Sequence, residues 1–358
     1  MSTILPEAAV SARDVPEKPA RRTADLVAAG LLTPDAAAAV ESVTRRYAVA
    51  LTPYVLEQAA QSPGGPVYAQ YIPTAEEAYT APGENGDPIG DDVHSPVKGI
   101  VHRYPDRVLL KPLHACAVYC RFCFRREMVG PGGDALTADE LAAALAYVRD
   151  HPAVWEVVVT GGDPFLLAPR RLAEIVQGLA AMGHVGVVRF HSRVPMADPA
   201  RVTAELVTAL RAPGLATWVA VHVNHADELT PASTGALARL ADAGIPLVSQ
   251  TVLLKGINDS AAALESLFRG LVRHRVKPYY LHHPDLAPGT SHFRPTLDEG
   301  RALVRSLRGT VSGLCQPTYV LDIPGGHGKA PAAGEWVSPT AEGWEAADFR
   351  DRKHIYKD

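Results

Sequence analysis

Three of the four cysteines in this 358-residue chain, Cys116, Cys120 and Cys123, fall within eight residues in the spacing C-x3-C-x2-C. The fourth, Cys315, stands alone and reads as a core residue. A disulfide framework needs more cysteines in a shorter chain, so this usage fits a reducing compartment and a local metal site. Structural zinc takes four ligands, commonly as two separated pairs. A [4Fe–4S] cluster held by three thiolates instead leaves one iron open to an exogenous ligand. The amino and carboxylate groups of S-adenosylmethionine can chelate such an iron. Three buried thiols, or a zinc site completed by His114 or a distant group, are the plainer alternatives. Tyr119 and Phe122 occupy the spacer and Arg121, Arg125 and Arg126 adjoin it, aromatic and cationic groups suited to shielding a cluster and its anionic ligands.

Positioning such a loop falls to the surrounding elements. Short β-type runs at Arg107–Pro112, Trp155–Thr160, Val185–His191, Thr217–Val223, Ile245–Leu253 and Lys277–His282 alternate with helical stretches. The helices are expected at 137–150, 169–182, 199–210, 231–243, 260–274 and 296–308. Asp134, Thr137, Asp198-Pro199, Thr230-Pro231 and Thr296 supply helix-start chemistry. Six such alternations imply an α/β fold with a parallel sheet and right-handed crossovers, whose function collects at the C-terminal strand ends. The cysteine run follows the first strand, Gly161-Gly162-Asp163 the second, His191-Ser192-Arg193 the third and His222 to His225 the fourth. All therefore fall on one rim. A last β-type run, Thr318–Asp322, leads into Pro324-Gly-Gly-His-Gly-Lys329. Upstream, residues 1–22 read as a loose arm, 23–61 as two helices, with Thr33-Pro34 as a cap, and 62–100 as an irregular wrapping segment.

Composition narrows the class. With 35 Lys+Arg against 39 Asp+Glu the net charge is −4, too near neutral for a dedicated nucleic-acid binder. The chain has no run of roughly 18 apolar residues to span a membrane and no apolar segment in its first residues like a secretory leader. The expectation is a cytoplasmic protein.

The string CAVYCRFCFRR after HRYPDR at 102–107 resembles the lysine 2,3-aminomutase family of radical S-adenosylmethionine enzymes. TGGDP at 160–164, HVNHADELTP at 222–231, SQTVLLKGIND at 249–259, KPYYLHHPDL at 277–286 and HFRP at 292–295 extend that resemblance over about Asp87 to Ala330. It implies a partial (β/α)6 radical-SAM barrel spanning 101–310, with a helical N-terminal extension over 1–100 and a C-terminal segment, 311–358, carrying a pyridoxal 5′-phosphate lysine. Cys116, Cys120 and Cys123 would ligate the [4Fe–4S] cluster. Gly161, Gly162 and Asp163 would hold the methionine end of S-adenosylmethionine, with His222 and Gln250 as further polar contacts. A backbone free of side chains at the glycine pair would let the ligand approach closely.

Lys329 would carry the pyridoxal 5′-phosphate, with Arg103, Tyr104 and Arg107 on its phosphate side. The family has a run of four glycines before this lysine, one of which is His327 here, and an aromatic near the pyridoxal ring is His282. A phosphate-binding loop fits poorly, because Ile323 stands at the first glycine position and Ala330 where Ser or Thr would bind magnesium. For the substrate, the resemblance implies Arg125 on the carboxylate and Asp285 with Asp322 on a distal ammonium. Paired carboxylates suit a buried cation. The implied reaction is an isomerisation that moves the α-amino group of a basic amino acid, L-lysine foremost, to Cβ by way of a 5′-deoxyadenosyl radical. Arginine, ornithine, a protein-linked lysine, or a non-mutase oxidation with the same cofactors are the other readings. An electron donor of flavodoxin or ferredoxin type is the implied partner. No zinc is expected, because the cysteine-bearing C-terminal extension of the clostridial-type enzymes is lacking, and a homo-oligomer is left open.

Overall fold

The computed structural model describes residues 18–356, apart from 131, 132, 134, 342 and 349. The expected arm lies outside the described residues up to position 17, as does Asp134 among the expected helix starts.

A nine-stranded sheet forms the frame, its strands lying side by side in chain order. They are β1 (Ile100–Tyr104), β2 (Arg107–Leu113), β3 (Glu156–Gly161), β4 (Val187–Ser192), β5 (Ala216–His222), β6 (Leu247–Val252), β7 (Val276–His282), β8 (Thr318–Asp322) and β9 (Lys329–Pro331). Pairing from β2 through β8 is parallel throughout. The edge strands are antiparallel, β1 on β2 and β9 on β8. Among the described residues the two edges do not pair with each other, so the curled sheet is a half-barrel rather than a closed one. The six expected strands and the final β run are all present, whereas β1, the hairpin partner of β2, is not among the expected strands and begins at residue 100, the last of the segment expected to be irregular. β1 runs only five residues, and its polar His102 and Arg103 hide the alternation that marks a strand.

Alternation along each strand separates two faces. Val157, Val159, Val188, Phe190, Val219 and Val221 are fully buried in one continuous core. Their alternate neighbours Val158, Arg189, His191, Ala220 and His222 face an internal cavity. Helices cover the outer face, as parallel sheets require. In chain order the helices are α1 (Thr23–Ala28), α2 (Pro34–Ala39), α3 (Glu41–Arg46), α4 (Pro53–Gln61), α5 (Pro66–Tyr71), α6 (Ala138–Arg149), α7 (Pro169–Ala180), α8 (Val194–Ala197), α9 (Ala204–Ala209), α10 (Pro231–Asp242), α11 (Ala261–Arg273) and α12 (Leu297–Leu307).

Several caps act as the sequence suggests. Thr137 and Thr296 each form a reciprocal capping box, with Glu140 and Glu299, and Thr230 accepts from the Ser233 amide. Each such cap contributes about 1 kcal/mol. Asp198 makes no side-chain cap hydrogen bond among the described residues, and the single helix expected over 199–210 is a 3-10 turn at Pro199–Arg201 followed by α9. The two helices expected over 23–61 are four, because Gly30 and the turn at Val40 interrupt the first and the extended stretch before Pro53 separates the last. A fifth helix, α5, lies in the segment read as irregular, started by Pro66.

These N-terminal helices have their own apolar cluster, including Leu26, Leu51, Leu56 and Tyr71, which also takes in Val118 of the cysteine loop. They rest on the C-terminal rim of the half-barrel through Thr52 Oγ1 to the Ala197 carbonyl at 2.5 Å and Tyr54 to Thr230 at 2.5 Å. A small antiparallel meander, β10 (Val337–Thr340), β11 (Gly343–Ala347) and β12 (Lys353–Tyr356), follows the main sheet. Among the described residues no helix is long and apolar enough to cross a membrane.

Candidate active site

The half-barrel encloses a cavity of about 610 Å³, ample for more than one small ligand. Its lining brings together residues that are far apart in the chain. All fifteen site residues expected from the sequence border it: Arg103, Tyr104, Arg107, the three cysteines, Arg125, Gly161, Gly162, Asp163, His222, Gln250, Asp285, Asp322 and Lys329.

The cysteine loop leaves β2 and is pinned from above. The Tyr119 amide donates to the Ala50 carbonyl at 2.9 Å and the Arg121 amide to the Gln70 carbonyl at 2.8 Å. Arg121 and Arg126 both donate to the buried carboxylate of Glu77, Arg121 through Nε at 3.0 Å and Nη2 at 2.6 Å. Burial alone would raise Glu77, yet the two guanidiniums hold its carboxyl below the usual value. Two of the three arginines expected to serve a cluster are thus committed to a structural carboxylate. Arg125 acts on Cys116 and Cys123, and a further cation, beside Cys120, is Arg193, nearly fully buried, whose side chain donates to Tyr71 at 2.6 Å, Gln70 at 2.6 Å and Glu228 at 2.8 Å. Its Nη1 has no hydrogen-bond partner among the described residues.

All three thiols are free, and burial pushes each upward, Cys120 to about 12. Their ionised form therefore needs positive charge nearby, which an iron core supplies. Among the described residues no three His, Cys, Asp or Glu side chains are placed to hold a single metal ion. The donor set itself, three free thiols on one loop, is one in which each thiolate would bind a different iron of a cluster. Phe122 packs edge-on against His222 with ring centroids 5.7 Å apart, closing the apolar side of the loop.

Gly161 and Gly162 are required by the chain itself. Gly161 has φ +111, and a Cβ on Gly162 would collide with the Ala115 carbonyl oxygen. Beside the reason expected from the sequence, close approach of a ligand, the chain has one of its own: the backbone entering the cysteine loop fills the directions a side chain would take. Asp163 is similarly occupied. Its oxygens accept from Ser192 Oγ at 2.8 Å and from the amides of Phe165, Arg193 and Val194 at 3.0, 2.7 and 3.1 Å. It ties the β3 turn to the β4 turn, although burial pushes its pKa up.

Across the cavity, Arg103 donates to the Ile89 carbonyl at 2.7 Å and to Asp91 at 3.1 Å. Arg125 donates to the other oxygen of Asp91 at 3.0 Å, and Lys111 lies 3.6 Å from it. Asp91, 1% exposed, therefore joins the two arginines expected to grip cofactor phosphate and substrate carboxylate. Burial would raise it, but Arg125, Lys111 and Arg103 hold it low. Arg107 stacks on the Tyr104 ring at 3.8 Å.

Tyr104 also fixes the lysine strand, its hydroxyl accepting from the Lys329 amide at 2.9 Å. In the segment before that lysine, Gly325, Gly326 and Gly328 have φ of +85, +85 and +93, while His327 does not have positive φ and is exposed. The one glycine replaced sits where glycine is not needed. Lys329 Nζ lies 2.5 Å from Asp322 Oδ1. Burial opposes ionisation of Asp322, but His282 and Lys329 hold it at about 2. Burial and the charge of Asp322 push Asp285 up to about 7.

Sequence reasoning missed Glu77, Asp91 and the role of Arg193. None has a local spacing signal; Glu77 meets Arg121 across 44 positions.

A parallel half-barrel with three cysteines on the loop after its first parallel strand is the architecture of a radical S-adenosylmethionine enzyme, and the radical SAM superfamily matches residues 110–267. The chain is 41% identical over 307 residues to the L-lysine 2,3-aminomutase of Clostridium subterminale, covering 86% of this chain and 74% of that protein. It is also 41% identical over 290 residues to the L-lysine 2,3-aminomutase of Fusobacterium nucleatum, covering 81% of this chain and 68% of that protein. The glutamate 2,3-aminomutase of Clostridioides difficile is 33% identical over 299 residues, 83% of this chain and 70% of that protein. The chain belongs to the lysine 2,3-aminomutase family: it is a radical SAM aminomutase, an isomerase whose family implies a [4Fe–4S] cluster and S-adenosylmethionine.

Proposed function

We propose that this enzyme moves the α-amino group of a basic amino acid, L-lysine foremost, to Cβ, with pyridoxal 5′-phosphate on Lys329. The observation that carries the reading is the cation site at Asp322. An alkylammonium, that of Lys329 itself, rests on this carboxylate at 2.5 Å, and Asp285 borders the same cavity. Once Lys329 is engaged with the cofactor, the carboxylates are left for the distal ammonium of a substrate. An acidic side chain would meet like charge there, which disfavours glutamate.

When bound, the cluster and S-adenosylmethionine would supply hydrogen-abstracting radical chemistry, and the pyridoxal system would supply an electron sink. The chain's own residues position and enclose. Cys116, Cys120 and Cys123 offer the three thiolates, while His222 and Gln250, neighbours on β5 and β6, offer polar contacts on the cavity wall. Arg103, Tyr104 and Arg107 form a cationic and hydroxyl-bearing side suited to a phosphate. Arg125 would take the substrate carboxylate in place of Asp91, and Asp285 with Asp322 would take the far end. Gripping both ends fixes Cβ between them, which contributes through orientation. An electron donor of flavodoxin or ferredoxin type completes the proposal.

The test is an anaerobic incubation of reconstituted enzyme with pyridoxal phosphate, S-adenosylmethionine, reductant and L-lysine, with products resolved by chromatography and mass. A new peak isobaric with lysine and co-eluting with β-lysine is expected. A product two hydrogens lighter would replace the mutase reading with an oxidation.

A further inference from the structure

On the inner face of the sheet, polar side chains from adjacent strands form one line. His191 Nε2 lies 3.4 Å from Gln250 Nε2, and Gln250 Oε1 lies 3.1 Å from His282 Nε2. His282 Nδ1 lies 3.5 Å from Asp322 Oδ2, whose other oxygen meets Lys329 Nζ at 2.5 Å. Adjacent β6 and β7 strands bring the middle of this line together, with Val252 opposite His282 and Gln250 opposite Tyr280.

His282 is one of this chain's departures from its family resemblance. Another aromatic side chain could fill the space, but it would not present two ring nitrogens. Each nitrogen here faces an oxygen that can only accept, the amide oxygen of Gln250 and a carboxylate oxygen of Asp322. Both contacts are satisfied together only when both nitrogens carry hydrogen, which makes the ring a cation. Burial and the charge of Lys329 lower the pKa of the ring from its ordinary value while Asp322 works against them, and once Lys329 is joined to the cofactor one of the lowering charges is gone.

We propose that His282 is a specificity-determining positioning residue: as a cation it competes with the distal ammonium of the substrate for Asp322, and as a neutral ring it releases that carboxylate to the substrate. This inference rests on the distal-pocket assignment made above. Lys329 cannot play the same part once it holds the cofactor, whereas His282 remains beside Asp322 throughout. The groups that face the ring or act on it are His191 from β4, His222 from β5, Gln250 from β6, Tyr280 on its own strand with ring centroids 5.6 Å away, Asp322 from β8 and Lys329 from β9. Asp285, after β7, is charge-coupled to Asp322 and also titrates, so its contribution must be separated from that of His282.

At low pH the imidazolium offsets one negative charge of the pocket, and preference for a cationic side chain is reduced. Raising the pH removes that offset, while the lysine side chain, with an ordinary pKa of about 10.4, stays charged. Ionisation of Asp285 acts in the same direction, but a variant lacking the imidazole retains that part.

The experiment uses holoenzyme with cluster and pyridoxal phosphate, without reductant, so that no turnover occurs. Binding of L-lysine and of L-norleucine, which lacks the distal amine, is followed by the visible absorbance of the pyridoxal chromophore at pH 6 and pH 8.5. His282→Phe is expected to show a lysine-over-norleucine preference about tenfold above wild type at pH 6, and within about threefold of it at pH 8.5. Equal preferences for variant and wild type at both values would overturn the competition. So would a variant that loses its preference at pH 8.5, which would make His282 part of the pocket's construction. His282→Tyr provides a second variant should the phenylalanine disturb folding, with the same expected pattern. If wild type itself prefers neither ligand at any pH, the distal-pocket assignment falls, and this inference falls with it.

Discussion

Glu77→Gln tests whether the N-terminal helices hold the cysteine loop by charge. Glu77 is 2% exposed and accepts from both Arg121 and Arg126, with Arg126 also donating to the Arg121 and Gly289 carbonyls at 2.9 and 3.0 Å. A glutamine keeps the shape but removes the charge, leaving two buried guanidiniums to face a neutral amide whose NH2 points at one of them. Removing one partner of a buried ion pair costs about 3–5 kcal/mol. If that cost falls on the opening of the loop from the N-terminal layer, the opening equilibrium rises about 150- to 5,000-fold. The backbone amides of Tyr119 and Arg121, which donate across this junction, report it in hydrogen exchange followed by mass spectrometry. Exchange protection of peptides 115–126 should fall by that factor, up to the limit set by global unfolding, and iron retained after reconstitution should fall with it. Because the arginines depress the Glu77 pKa, its contribution is complete above the ordinary carboxylate range and is lost as pH falls through the folded value. The gap between variant and wild type should therefore close on acidification. Protection within threefold of wild type at pH 7 would refute the reasoning.

Other substitutions probe the remaining supports. Gly162→Ala drives a methyl group into the Ala115 carbonyl, so the β3 turn or the cysteine loop must shift; iron content should drop by more than half, and full loading would count against the close packing. Arg193→Lys cannot reach Tyr71, Gln70 and Glu228 together and should cost about 3 kcal/mol, read as a lowered urea midpoint; an unchanged midpoint would show that the network is not needed. Lys329→Ala should keep the brown colour of the cluster yet lose the visible pyridoxal absorbance, and full retained turnover would remove its assigned role. Asp285→Asn combined with Asp322→Asn should leave cofactor binding intact and raise the KM for lysine more than 100-fold, roughly the loss of two charge-assisted contacts; unchanged kinetics would end the distal-amine assignment.

Much of the frame is written in local pattern. Buried parallel strands such as Glu156–Gly161 are short runs of valine followed by a glycine turn, and helices such as α6 and α12 begin at a threonine with a glutamate three residues on. Both signals depend on neighbours within a few residues, so they survive without tertiary context. The same holds for C-x3-C-x2-C, whose spacing alone restricts the chemistry, and for the strand-end positions that place Gly161, His222 and Gln250 on one rim. The β1 strand and α5 were harder, because short polar-containing segments take their form from what they pair or pack with.

Tertiary structure decided which charges meet. Arg121 and Arg126 sit beside the cysteines in sequence, yet they serve Glu77, while Arg193, far along the chain, lies beside Cys120. Asp91 becomes the joint between Arg103 and Arg125 only when the segment before β1 closes over the cavity. His282 gains its meaning from Gln250 on one side and Asp322 on the other, residues 32 and 40 positions away. A residue type states what a group can do. Burial and the approach of opposite charge decide whether it does so, and both are properties of the folded chain rather than of any stretch of it.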